Sequence, residues 1–139
     1  MFTQQCFIRS NSWQIINTLM KFGKNVLNRE PNGYIVSNEE LVYSVCDEEE
    51  YLENMILNGF IDCGTNEELF LAIAALRYDS DRFQLFTNGK EWIQCEKEDW
   101  IDEISSLCVG GRYNYDKNGE LSVDFHKATV EELIKHFTI

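Results

Sequence analysis

A chain of 139 residues with 24 acidic and 12 basic side chains carries a net charge of −12. That balance disfavours direct nucleic-acid binding, which needs a basic face to displace counterions. It equally disfavours docking on anionic membranes. Apolar residues make up 44% and aromatics 13%, ample for a core that hides roughly two thirds of the unfolded surface. No apolar run approaches the ~20 residues a bilayer span needs. The opening MFTQQCFIRS has no basic region followed by a long apolar segment, so no secretory signal is expected. One cytoplasmic domain, 1–139, is the expectation.

The first element is a strand over Gln5–Arg9 (QCFIR). Ser10, Asn11 and Ser12 then offer caps to a helix over 13–22, with Ile15, Ile16, Leu19 and Met20 as its buried face and Gly23 as its stop. Short β-prone pieces at 25–27 and 34–37 flank a turn made by the sole proline, Pro31, with Asn32-Gly33. Tyr34–Cys46 has two readings: Ser37-Asn38-Glu39-Glu40 could cap a helix, but Leu41, Val42, Tyr43 and Val45 are β-type and favour a hairpin turning at Asn38–Glu40. A helix over 47–59 follows, capped by Asp47 with Glu50 in the capping-box position. Its stripe is Tyr51, Leu52, Met55 and Ile56, and Asn58-Gly59 ends it.

The chain is organised around Phe60–Arg77 (FIDCGTNEELFLAIAALR), a short strand, a polar corner and a helix over 65–77. Thr65 is read as its N-cap, with Glu68 completing a capping box. Leu69 to Leu76 is apolar at every position, so this helix should be covered on most faces. Next, 83–87 and 91–96 read as strands joined across Asn88-Gly89. A helix over 98–108 follows, with Trp100, Ile101, Ile104, Leu107 and Cys108 inward. Gly110-Gly111 breaks the chain, and 112–115 with 120–125 form a further hairpin about Asn118-Gly119. The last helix begins at Thr129 and buries Val130, Leu133, Ile134 and Phe137.

Four strand–cap–helix units recur at irregular spacing, with hairpins between them. They predict an α+β fold: a single mixed, mainly antiparallel sheet with four to five helices packed on it.

The odd set Cys6, Cys46, Cys63, Cys95 and Cys108 contains no CxxC pair and no adjacent histidine. These read as reduced, buried thiols rather than a disulfide framework or zinc site. Asn114, Asp116, Asn118 and Gly119 fall at positions one, three, five and six of a calcium loop, but Phe125 stands where its bidentate Glu belongs. A hairpin turn explains the same residues, so neither metal nor cofactor is expected. His126 and His136 lack a nucleophile-and-carboxylate spacing that would mark a base, and no catalytic residue is assigned.

Two sites stay as candidates. Cys63, Thr65 and Asn66 gather at a helix N-terminus, where anions bind. Glu39, Glu40, Glu48 and Glu49 would make a negative patch for a protein partner, although the run 47–50 equally suits an acidic first helical turn. IDCGTNEELFLAIAALR and KATVEELIKHF resemble segments of small uncharacterised acidic proteins of gut anaerobic bacteria, their phages and mobile elements. That resemblance implies an accessory role and brings no activity or site residues. The expected function is a non-catalytic interaction protein using an acidic or edge-strand surface, with a homodimer open if a strand edge is bare. The alternatives are an acidic mimic that blocks a nucleic-acid-binding protein, and a small enzyme or anion binder at the 65–77 helix.

Overall fold

The computed structural model describes residues 2–9, 12–26, 34–38, 41–45, 49–109 and 125–138. The fold is α+β, and the chain forms two compact units. The first comprises residues 1–78 and 130–139, so the second, 79–129, is inserted between two parts of it.

The first unit is built on a five-stranded mixed sheet. Its strands are β1 (Cys6–Ile8), β2 (Asn25–Val26), β3 (Tyr34–Asn38), β4 (Leu41–Val45) and β5 (Ile61–Asp62), in the order β2-β4-β3-β1-β5. β1 is an interior strand, antiparallel to β3 and parallel to the edge strand β5. β3 and β4 form the expected hairpin, Tyr34 opposite Val45 and Asn38 opposite Leu41; the turn residues 39 and 40 lie outside the described residues.

All three residues of β1 are buried. Successive side chains of a strand point to opposite faces, so β1 is covered on both sides. Phe7 packs with Leu52 and Met55 of α2 (Glu49–Leu57) and with Phe60. Cys6 faces the other way, its thiol donating to the carbonyl of Phe70 on α3 (Glu67–Ala74). α1 (Trp13–Lys21) packs on α3. Ser12 caps α1 by accepting from the Ile15 amide. Ile15, Ile16 and Leu19 are buried as expected, but Met20 lies outside the stripe and is 41% exposed.

α2 ends in a motif that explains Asn58-Gly59. The Gly59 amide donates to Ile56 and the Phe60 amide to Met55, the paired bonds of a Schellman cap. Phe60 packs against Met55, as that cap favours. Gly59 sits at φ +90, where an L side chain is strained. Ile56, expected in the buried stripe, is exposed.

No residue from Leu69 to Leu76 is exposed, which matches the apolar run. The chain then returns to the N-terminus, where Thr3 donates its amide to the Leu76 carbonyl and Phe2 bridges Arg77. The Phe2 ring holds the buried Lys24 ammonium at 3.8 Å and the Arg77 guanidinium at 4.8 Å, placing both cations over its negative face. α5 (Val130–Thr138) packs on α3 and buries Leu133, while Ile134 is partly exposed rather than buried.

The second unit holds a separate antiparallel sheet, β7 (Trp92–Gln94), β6 (Leu85–Thr87) and β8 (His126–Lys127), in that order. The strands thus divide between two sheets where one was expected. The expected hairpin over 112–125 lies outside the described residues save Phe125. β6 and β7 pair with Thr87 opposite Trp92, leaving a four-residue loop, 88–91, rather than a two-residue turn. α4 (Trp100–Val109) lays Trp100 flat on Phe86 of β6, with ring centroids 4.1 Å apart. Ile104 is buried, whereas Ile101 is exposed on the outer face.

Asp81 organises this unit, although nothing in its local pattern singled it out. Its Oδ2 accepts from the Trp100 amide at 2.8 Å, capping α4 from a distance, and its Oδ1 meets the Lys127 ammonium at 3.1 Å. Asp99 supplies the adjacent cap to Ile101. Two residues on, Phe83 has φ +70, unusual for a bulky side chain. The Gln84 amide reaches the Asp81 carbonyl, while Phe83 and Gln84 both face Cys95. A turn leading into a one-residue bulge demands positive φ there, and the Arg82 guanidinium lies 4.8 Å over the Phe83 ring.

A Cβ added at Gly59 would meet nothing within 4 Å, so only backbone strain opposes a side chain there. Gly59→Ala is expected to destabilise the chain by about 1 kcal/mol, and Gly59→Asn by less. Urea unfolding of the three proteins measures both differences.

Candidate functional site

Cys63, Thr65 and Asn66 lie on one corner, but they do not converge on a common point. β5 is tied to β1 by the Ile61 amide donating to Gln5 and the Cys63 amide donating to Phe7. Cys63 is therefore drawn into the core, where its thiol donates to the Ile61 carbonyl at 3.9 Å. Gly64, at φ +58, turns the chain outward, and Thr65 is exposed.

The cap of α3 is Asn66, not Thr65. Asn66 has extended backbone angles, φ −84 and ψ 97, and its Oδ1 accepts from the Leu69 amide at 3.0 Å. The Thr65–Glu68 capping box does not define this helix, whose bounds are 67–74 instead of 65–77. Leu69, Phe70, Ile73 and Ala74 are its buried residues. The other end of the Asn66 amide donates to the Phe137 carbonyl of α5 at 2.8 Å. One side chain thus satisfies an orphan N–H of one helix and an orphan carbonyl of another. With Glu67 and Glu68 in its first turn, this helix start presents negative charge, which opposes an incoming anion.

The corner is locked by an ion pair that the sequence reading missed. Arg9, just past β1, grips Asp62 with Nη2 to Oδ2 at 2.8 Å and Nε to the two carboxylate oxygens at 3.2 and 3.1 Å. Asp62 Oδ1 also accepts from the Gly64 amide at 2.8 Å. Partial burial pushes the Asp62 carboxyl up, but the Arg9 and Gly64 hydrogen bonds and the Arg9 charge outweigh it. The carboxyl lies below its ordinary value of 3.8. Only register could have exposed this pair: Phe7 opposite Asp62 in parallel strands brings residue 9 to the same edge.

The thiols that are described, Cys6, Cys63 and Cys95, are free and buried. Burial, then the adjoining Cys63 thiol, pushes Cys6 well above 9.0, and the Lys24 charge offsets this only in part. Burial lifts Cys95 to about 11; a backbone hydrogen bond at Lys97 opposes the rise, and the charges of Glu103, Asp81 and Asp99 add to it. A thiolate is the reactive form, so Cys6 and Cys95 are packing groups at neutral pH. No group of three or more His, Cys, Asp or Glu side chains suited to a metal occurs among the described residues. Cys108 falls in α4, whereas Cys46 and the calcium-loop residues Asn114 to Gly119 lie outside the described residues. So do Glu39, Glu40 and Glu48; Glu49 heads α2. His126 and His136 are exposed.

The described surface does carry apolar side chains. Trp13 and Met20, seven residues apart, share one flank of α1 beside its buried stripe and are 55% and 41% exposed. Leu57 and Tyr78 are more exposed still. No described helix is long and apolar enough to cross a membrane. Comparison with protein-family models, with curated proteins and with solved structures finds no significant match.

Asn66→Ala should destabilise the chain by about 2 kcal/mol, since it removes a cap and an inter-helix bond together. Thr65→Ala should change stability by under about 0.5 kcal/mol. Equal losses in thermal or urea unfolding would return the cap to Thr65.

Asp62 makes stability depend on acid. Its folded carboxyl titrates below its unfolded value, so the Arg9 pair contributes fully above pH 3.8 and is lost as pH falls through the folded value. The unfolding midpoints of the natural chain and Asp62→Asn should differ at neutral pH and converge in acid. A gap that persists in strong acid would assign the effect to packing instead.

Proposed function

We propose that this chain is a non-catalytic interaction module that binds a basic protein partner. The observation that carries the reading is the solvent-facing pair Trp13 and Met20 on α1, in a chain of net charge −12. Large apolar side chains on a helix face are natural anchors, and tryptophan is over-represented among the residues that dominate binding energy. The net negative charge of the chain would speed encounter with a cationic surface and make binding weaken with salt.

Two further features support a binding role over chemistry. The described thiols are buried, and two of them are held protonated. The Cys63–Asn66 corner spends its polar groups on capping and on joining α3 to α5.

The test is affinity capture with the tagged chain from lysate of its source cells, with and without nuclease, beside a Trp13→Ala/Met20→Ala variant. A basic partner is expected that survives nuclease, weakens with salt and loses about tenfold or more in affinity to the variant. Capture unchanged by the double substitution would overturn the α1 surface. A nucleic-acid-binding partner displaced by added DNA would instead establish mimicry of a phosphate backbone.

A further inference from the structure

The sequence holds Asn-Gly at 32–33, 58–59, 88–89 and 118–119. In such a pair the glycine nitrogen, unshielded by any Cβ, can attack the asparagine side-chain carbonyl carbon and close a succinimide ring. The two pairs at 58–59 and 88–89 differ in which end of the asparagine side-chain amide is held.

At the end of α2, Asn58 Nδ2 donates to the Asn54 carbonyl at 2.9 Å, and the Gly59 amide donates to the Ile56 carbonyl at 3.1 Å. Leaving group and nucleophile are both fastened to the helix end. At the tip of the β6–β7 hairpin it is the carbonyl oxygen that is held. Asn88 Oδ1 accepts from the Lys90 amide at 2.9 Å and from the Glu91 amide at 2.8 Å. The Gly89 amide, like that of Gly59, is a donor, here to the Thr87 hydroxyl at 3.0 Å, and that hydroxyl donates to the Glu91 carbonyl at 2.7 Å. Residues 88 to 90 are exposed, so water reaches them.

We propose that Asn88 is a self-modification site, where the fold promotes a cyclisation that it suppresses at Asn58. Hydroxide from solvent removes the Gly89 amide proton, and the nitrogen bonds to Asn88 Cγ. The negative charge that develops on Oδ1 falls on two backbone N–H donors already in place, and such donors gain strength as charge develops. The oxyanion collapses, the Cγ–Nδ2 bond breaks, and ammonia leaves with a proton from water, which regenerates hydroxide. Water then opens the ring at either carbonyl, leaving an aspartyl or isoaspartyl residue and a new carboxylate. The isoaspartyl product adds a methylene to the main chain beside Thr87, which is paired with Trp92, and so loosens the hairpin at its tip.

The experiment incubates the full chain at mildly alkaline pH, native and in urea, and follows each Asn-Gly peptide by mass spectrometry. In the native chain Asn88 is expected to convert about tenfold faster than Asn58, and in urea the two should react at similar rates. Equal native rates, or slower conversion at Asn88, would overturn the proposal. So would the same ratio in urea, which would trace the difference to neighbouring residues and not to the fold.

Discussion

The first unit depends on a strand that has no wet side. Cys6, Phe7 and Ile8 are each fully buried, which requires apolar cover on both faces of β1. α2 provides it over Phe7, and the layer containing α3 provides it over Cys6. Truncating an aromatic at such a position typically costs about 3–5 kcal/mol, a large share of the stability of a small domain. The demand propagates outward. α3 must itself be covered because it is apolar through two turns, and α1 and α5 pack on it. The Asn66 amide joins α3 to α5 because both helix ends carry backbone groups without intrahelical partners.

The same constraint accounts for Cys6. A strand between two packed layers has room for small apolar groups, and a thiol is one of these. The physical setting of Cys6 and Cys95 favours the protonated form, so neither needs a chemical explanation. Polar groups near the core are committed elsewhere: Arg9 to Asp62 at the β1–β5 edge, Asp81 to the start of α4 and to Lys127. Each of these joins elements distant in sequence, and each supplies order that apolar packing alone does not specify.

Local signals carried most of the secondary structure. Ser12 before an amphipathic run, Asn58-Gly59 after one, and β-branched residues on either side of Asn38–Glu40 name elements that the fold contains. What they could not supply was partnership. Thr65 and Asn66 are both competent caps, and the choice fell to Asn66 because its amide has a second group to satisfy on α5, 71 residues away. The division into two sheets depends on β6 pairing with β7 and β8 instead of joining β1, a long-range outcome with no local mark. The Arg9–Asp62 corner was hidden for the same reason, since it exists only once the register of β1 on β5 is set.

The margins of the helices show where periodicity stops being informative. Met20, Ile56, Ile101 and Ile134 each lie one position beyond a buried neighbour or at the edge of a stripe, and each is exposed. An apolar stripe reports which side of a helix turns inward, but not how wide a face its neighbours will cover. Scattered exposed aliphatics of this kind are ordinary on folded proteins. Trp13 differs because it is large, aromatic and aligned with Met20 on a single helix face, and α1 needs neither for its own packing: Ile15, Ile16 and Leu19 already fill its inner side. A helix whose inward contacts are complete and whose exposed flank still carries a tryptophan has a surface available for association, and that separation of roles is why we propose α1, and not the α3 corner, as the anchor.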